Sequence, residues 1–253
     1  MSLKSNIITM AVDVTDVQKV IEAVKSCIAS NQSSYICVSN VHMCMETFDS
    51  LYFRQLVNSA DLVIPDGRPI FWAQRILGFK DAHHVRGQDI TEALCEISHR
   101  EGINIGLYGG SSDTVLSNVV AALSAKYPNI KITYQYSPPF RALTSSETDK
   151  VIDDINNAKV DVLFVGIGCP KQEIWMAQQK GKINAVMLGV GAAYDFISGE
   201  KKHAPKLLQK LGLEWLYRLC SEPKRLWKRY LKQNPRFIWY FTRQVIFKKQ
   251  FDI

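Results

Sequence analysis

Cysteine pairs at metal or redox spacing are missing from this chain of 253 residues: Cys27, Cys37, Cys44, Cys95, Cys169 and Cys220 form no Cys-x-x-Cys, and most lie in apolar stretches. Reduced core thiols are expected, and a zinc site is not. Long apolar runs are also scarce. The longest, Ala185–Tyr194, has ten residues with two glycines, too short to span a bilayer. Met1–Ser5 is polar and opens no secretory leader, so a cytosolic or peripheral protein is expected. The dinucleotide fingerprint Gly-x-Gly-x-x-Gly is incomplete, because Gly166-Ile167-Gly168 runs on into Pro170 and Lys171. A nicotinamide-dependent oxidoreductase is thereby disfavoured. No Asp-x-Asp pair offers a home to a divalent ion bridging a diphosphate. The neighbours His83 and His84 point in different directions on a helix or strand and make a poor metal pair.

What is present is uneven in charge. Residues 201–253 hold 14 Lys or Arg against Glu214, Glu222 and Asp252, a net of +11, while the whole chain is +7, which leaves −4 for residues 1–200. Ten aromatics are interleaved with those cations, from Trp215 and Tyr217 to Trp239, Tyr240, Phe241 and Phe251. Cationic heads among Trp, Tyr and Phe suit a surface that is anionic outside and oily beneath. The composition shift near Gly199 divides the chain into a body, 1–199, and a helical, membrane-associating appendage, 200–253. Within the appendage, Ser221-Glu222-Pro223 reads as a helix start. A packed helical pair with a solvated basic face is an equal reading for Trp215–Leu226. Phe237–Phe251 carries more apolar and basic residues than a buried face needs and is expected to anchor.

The body alternates short apolar runs with segments of helical period. Strands are expected at Ile7–Val12, Tyr35–Ser39, Leu62–Ile64, Ile103–Tyr108, Ile130–Gln135, Val160–Val165 and Ala185–Val190. Helices are expected at Val17–Ile28 behind a Thr15 cap, and over 45–58, 90–100, 114–126, 147–157 and 172–179. Near-continuous apolar strands alternating with helices predict an α/β fold with a doubly wound, mostly parallel, Rossmann-like sheet. With 47% hydrophobic residues the chain can bury such a core. Ligands of such sheets bind where strands end and loops meet helix N-termini. Four junctions carry suggestive residues: Val38–His42, Ala60–Gly67, Leu107–Ser112 and Val165–Glu173. Each has a bland alternative: Asp66-Gly67 could be an ordinary turn, and Gly109-Gly110 a turn that binds no phosphate.

Taken together these blocks resemble the WecG/TagA/CpsF family of bacterial glycosyltransferases (glycosyltransferase family 26). The resemblance rests on Asn40-Val41-His42, Ala60–Gly67 with its terminal Pro65-Asp66-Gly67, and Val85-Arg86-Gly87-Gln88-Asp89. It continues through Tyr108-Gly109-Gly110, Val165–Glu173, Gly212–Arg218 and Glu222–Leu226, in order over about residues 35–230. It implies inverting, metal-independent and cofactor-free transfer of a hexose-type sugar from a UDP-sugar to a polyprenyl-diphosphate-linked glycan, on the inner face of the cell membrane, in cell-surface polysaccharide synthesis. N-acetylmannosamine, its uronic acid and glucose all remain open as the sugar. Asp66 would be the general base, a role that suits a carboxylate because a sugar hydroxyl must lose its proton as it attacks. Asn40 and Gln172 would line the sugar and acceptor site, with Gly109, Gly110 and Lys171 in the same motifs. Arg218, Arg225 and Arg229 would balance the departing diphosphate. Val38 and His84 stand where many relatives have Thr and Arg, which leaves donor and acceptor choice open here.

The partners on this reading are the UDP-sugar, the lipid-linked acceptor and an anionic membrane surface, with no nucleic acid. A homo-oligomer stays open. The alternative is a non-catalytic peripheral or nucleotide-binding module.

Overall fold

The computed structural model describes residues 3–201, 204, 205, 207, 208 and 212–247, and of Arg225 the backbone alone. The chain opens with an antiparallel hairpin, β1 (Lys4–Ile7) and β2 (Met10–Asp13), where a single strand was expected. Ile8 turns the corner at φ 60, a region that β-branched residues rarely adopt. It is held there from the far end of the chain: the Ile8 N–H donates to Gln244 Oε1 at 2.8 Å.

Six further strands are β3 (Ser34–Ser39), β4 (Leu62–Pro65), β5 (Asn104–Gly109), β6 (Lys131–Tyr136), β7 (Val162–Gly166) and β8 (Val186–Gly189). They form one sheet in the order β4-β3-β8-β7-β5-β6, with all neighbours parallel. This is the parallel α/β architecture that the apolar runs require, because both faces are covered. Alternate strand residues divide between two cores. Cys37, Val63, Leu163, Val165 and Met187 point to one face, and Ile36, Ile64, Leu107, Phe164 and Leu188 to the other.

The first face carries α2 (Val41–Asp49), α3 (Leu51–Asn58), α4 (Arg68–Ile76), α7 (Ser145–Asn157) and α8 (Lys171–Gln179). The opposite face carries α1 (Val17–Ala29), α5 (Gly87–Glu101), α6 (Asp113–Lys126) and the short α9 (Ala193–Ile197). Local chemistry sets several of the ends. Asp16, not Thr15, caps α1, its carboxylate accepting from the Lys19 N–H at 2.9 Å. The expected helix over 45–58 is two helices, broken at Ser50. There the backbone is extended, and Ser50 Oγ accepts from the Phe53 N–H at 3.2 Å to start α3. Helix α4 had no sequence expectation; its Pro sits in the first turn, where a missing N–H costs nothing.

The appendage forms α10 (Glu214–Ser221) and α11 (Pro223–Ile246). The helix start at Glu222-Pro223 is as expected, although the Glu222 side chain makes no capping bond. Over the described part of Phe237–Phe251, one side of the helix packs on the body. Phe237 and Phe241 stack at 5.8 Å and are buried in the core of the first face, while Arg236 pairs with Asp49 and Tyr240 stacks on Phe48 at 4.2 Å. Helical spacing places those residues on one side of α11, so apolar content on the other side can stay exposed. Phe251 lies outside the described residues. No helix among the described residues is long and apolar enough to cross a membrane.

Candidate active site

Strand order decides where the loops gather. From β7 the chain steps to β8, and from β5 it steps the other way to β6, with α8 and α6 on opposite faces. The strand ends therefore part between β5 and β7, where a doubly wound sheet opens its crevice. Gly109 closes the floor of that gap. At φ 137, any Cβ on it would sit 2.6 Å from the Gly166 carbonyl, so only glycine fits. From this point an open cleft of about 1490 Å³ runs along the carboxyl edge to Asp66. Four strand intervals separate β5 from β4, about 19 Å at about 4.8 Å each, a span suited to a nucleotide bearing a sugar.

Asp66 follows β4 directly. Its N–H and that of Gly67 both donate to the Ser39 carbonyl, at 3.1 and 3.0 Å, which pins the turn to the end of β3. One carboxylate oxygen, Oδ1, accepts from the Gly87 N–H at 2.7 Å. Oδ2 has no partner among the described residues and is left for a ligand. Burial pushes the carboxyl up to about 6; the Gly87 N–H pulls against this, Glu214 raises it further, and Arg218 and Arg86 oppose it. Gly87 can reach Asp66 because it lacks a side chain: a Cβ there would lie 2.8 Å from Val38 Cγ1.

Of the residues singled out in the sequence, Asn40, Asp66, His84, Gly110, Lys171, Gln172, Arg218 and Arg229 line this one cleft, and Gly109 lies beneath it. The Arg225 side chain lies outside the described residues. Asn40 caps α2, its Oδ1 accepting from the Met43 N–H at 3.2 Å. His84 is a brace as much as a wall, because its Nε2 donates to the Asp66 carbonyl. Burial holds its ring below the usual histidine range, so it braces that carbonyl as a neutral imidazole.

Gln172 is committed to the protein more than a sugar-lining role would suggest. Its Oε1 accepts from the N–H groups of Gly168 and Gly191, both at 3.2 Å, which ties the loop after β7 to the loop after β8. Its Nε2 donates to Glu173 Oε1 at 2.7 Å. Glu173 is fully buried, its Oε2 is unpartnered, and burial pushes it up to about 7. The tail enters the cleft through Arg218, stacked over Phe196 at 5.4 Å, and Arg229, over Tyr230 at 5.1 Å. Both have a buried Nε–H with no protein partner, a donor that an anion would satisfy.

A family model described as "Glycosyl transferase WecG/TagA/CpsF family" matches residues 5–251. The chain belongs to this family. It is a glycosyltransferase, and its parallel α/β body is the scaffold of one. Among curated relatives, the N-acetylglucosaminyldiphosphoundecaprenol N-acetyl-beta-D-mannosaminyltransferases of Staphylococcus aureus strains MW2 and NCTC 8325 / PS 47 are each 28% identical over 239 residues. In both cases the match covers 93% of this chain and 91% of the relative.

Sequence reasoning passed over Glu214, Trp72, Trp175 and Glu173. Glu214 and Glu173 stand inside motifs that were noticed for other residues. Trp72 lies in the unforeseen α4, and Trp175 is identifiable only by its stack on Tyr108, at 4.2 Å and 14°.

Proposed function

We propose that this glycosyltransferase moves a hexose-type sugar, N-acetylmannosamine in the first instance, from its UDP ester to a polyprenyl-diphosphate-linked N-acetylglucosamine. The sugar and acceptor come from the names of the relatives. The observation that carries the reading is Asp66: a half-buried carboxylate with one oxygen held by the Gly87 N–H and the other facing the cleft. As general base it takes the proton of the attacking acceptor hydroxyl. That oxygen then bonds the anomeric carbon from the face opposite the leaving group, the bond from carbon to the phosphate oxygen breaks, and UDP departs with inversion. Arg218 and Arg229 neutralise the growing diphosphate charge by direct hydrogen bonds, in place of a metal ion. Gly109 and Gly110 give the nucleotide a close approach at the crevice.

The tail supports a peripheral membrane site at the inner face. Helical spacing divides α11 into three sectors. Leu226, Gln233, Phe237 and Phe241 face the body. Trp227, Leu231, Ile238 and Val245 make an exposed apolar stripe, and Lys228 and Lys232 are exposed beside it. Such a helix lies in an anionic interface with its stripe inserted.

Screening UDP-sugars for UDP release that depends on the lipid-linked acceptor tests the reading. Release with UDP-N-acetylmannosamine is expected. No acceptor-dependent release from any UDP-sugar would reject it in favour of a non-catalytic module.

A further inference from the structure

We infer that the exposed face of α4 (Arg68–Ile76) is the wall along which the isoprenoid chain of the acceptor runs from the base to the membrane. This rests on the acceptor class proposed above. Helix α4 starts two residues after Asp66, with Gly67 between as its cap. Pro69, Trp72 and Ile76 fall at i, i+3 and i+7 and line the same cleft as Asp66. Trp72 is 42% exposed and Ile76 60% exposed, although both sit on a well-ordered body where a polar residue would serve solubility better.

The order of groups along this wall matches the chemical order of the acceptor. The reacting hydroxyl belongs at Asp66. The acceptor's diphosphate, one sugar ring away, falls beside Arg68 and Arg86, which line the cleft, Arg86 being paired with Asp89, while Arg218 is left to the departing UDP. The apolar chain then meets Trp72 and Ile76, with Ile76 about 12 Å beyond Arg68 at about 1.5 Å per residue. The far side of this channel comes from the tail: a Cβ on Gly212 would lie 2.5 Å from Trp72 Cη2, so the outer edge of the ring packs against the chain just before α10. The wall therefore leads from the base toward the tail, whose helix α11 is proposed to lie on the membrane. A second copy of the chain is the competing occupant, but nothing about a dimer would require the apolar face to continue into the catalytic cleft.

The test compares two water-soluble acceptors, so that membrane docking plays no part: N-acetylglucosamine diphosphate esterified with a short isoprenoid chain, and its methyl ester. Ile76→Ser is expected to raise KM for the isoprenoid ester about tenfold, equivalent to about 1.4 kcal/mol, with kcat and donor KM unchanged. KM for the methyl ester should stay within about twofold of wild type, since an energy change below 0.5 kcal/mol is no more than that. Trp72→Phe, which trims the wall by removing the outer indole atoms that meet Gly212, should show a shift of the same kind. Equal losses on both esters, or no loss on either, would overturn the assignment while leaving the transfer reaction intact. A change of oligomeric state in Ile76→Ser would give the face to a second copy. Failure of the wild-type protein on both esters would instead reject the reaction itself.

Discussion

Replacing Asp66 by Asn separates catalysis from stability at one position. Burial raises this carboxyl from 3.8 to about 6. The folded protein therefore holds a proton that the unfolded chain has released between those values, and ionisation above them works against folding. At 1.36 kcal/mol per pH unit, the interval corresponds to about 3 kcal/mol at most. Asp66 keeps a partly exposed oxygen toward the cleft, so screening reduces this to about 1.5 kcal/mol. Asn cannot ionise, yet its Oδ1 can still accept from the Gly87 N–H. Asp66→Asn should thus melt about 3–6 °C above wild type at pH 8, at about 2–4 °C per kcal/mol for a chain of this size. The difference should shrink as pH falls through 6 and vanish near pH 4. Transfer should meanwhile drop by about 100-fold or more, the usual scale of a general base, and wild-type kcat/KM should rise with pH through about 6 as Asp66 loses its proton. Melting curves from pH 4 to 8, set beside UDP release, check both halves. A stability gain independent of pH, or none at pH 8, would refute the account of a buried base; undiminished transfer by the variant would refute its catalytic role.

Three other outcomes follow from contacts described above. Gly87→Ala should lose about tenfold or more in kcat, because its Cβ meets Val38 Cγ1 at 2.8 Å and pushes the N–H off Asp66; adding Val38→Ala should restore most of it, read as coupling in a double-mutant cycle. Glu173→Leu leaves the Gln172 amide without its acceptor, which should cost about 1–3 kcal/mol and lower kcat. Glu173→Gln keeps that bond and, since burial raises the carboxyl from 4.5 to about 7, should gain stability over wild type as pH rises from about 4.5 and hold the full gain above about pH 7; equal damage by both variants in thermal melts and kinetics would dismiss the clamp. Ile238→Ser with Trp227→Ala should weaken binding to anionic vesicles in a sedimentation assay. For the wild type, salt near 1 M, where screening acts within about 3 Å, should remove only part of the binding, because the aromatic insertion survives.

Much of the fold was legible because it rests on local pattern. The apolar runs at Tyr35–Ser39, Ile103–Tyr108 and Val160–Val165 are strands of a parallel sheet, and the motifs at Asn40, Asp66, Gly109-Gly110 and Gly166–Glu173 stand at the carboxyl ends of strands. The errors fall where a distant group overrides a local signal. Ile7–Val12 reads as one strand because Ile8 carries no turn chemistry; in the fold the Ile8 N–H at the turn donates to Gln244, 236 residues away. Phe237 and Phe241 read as excess apolar surface because their partners, on α2 and the hairpin, are about two hundred residues away.

Sequence alone determined the parts: a carboxylate after a strand, a Gly-Gly loop, a chain end rich in cations and aromatics, and the family motifs that contain them. Residue type and period are local properties, so they survive without a structure. Only the tertiary structure decided what those parts do for one another. Strand order spaces Gly109 and Asp66 about 19 Å apart at about 4.8 Å per interval. The same folding turns Gln172 inward as a tie between loops, raises Asp66 by burial, and brings Arg218 and Arg229 over the cleft. Distances across a sheet and the loss of water around a carboxyl depend on neighbours remote in the chain, and those neighbours are set only when the chain folds.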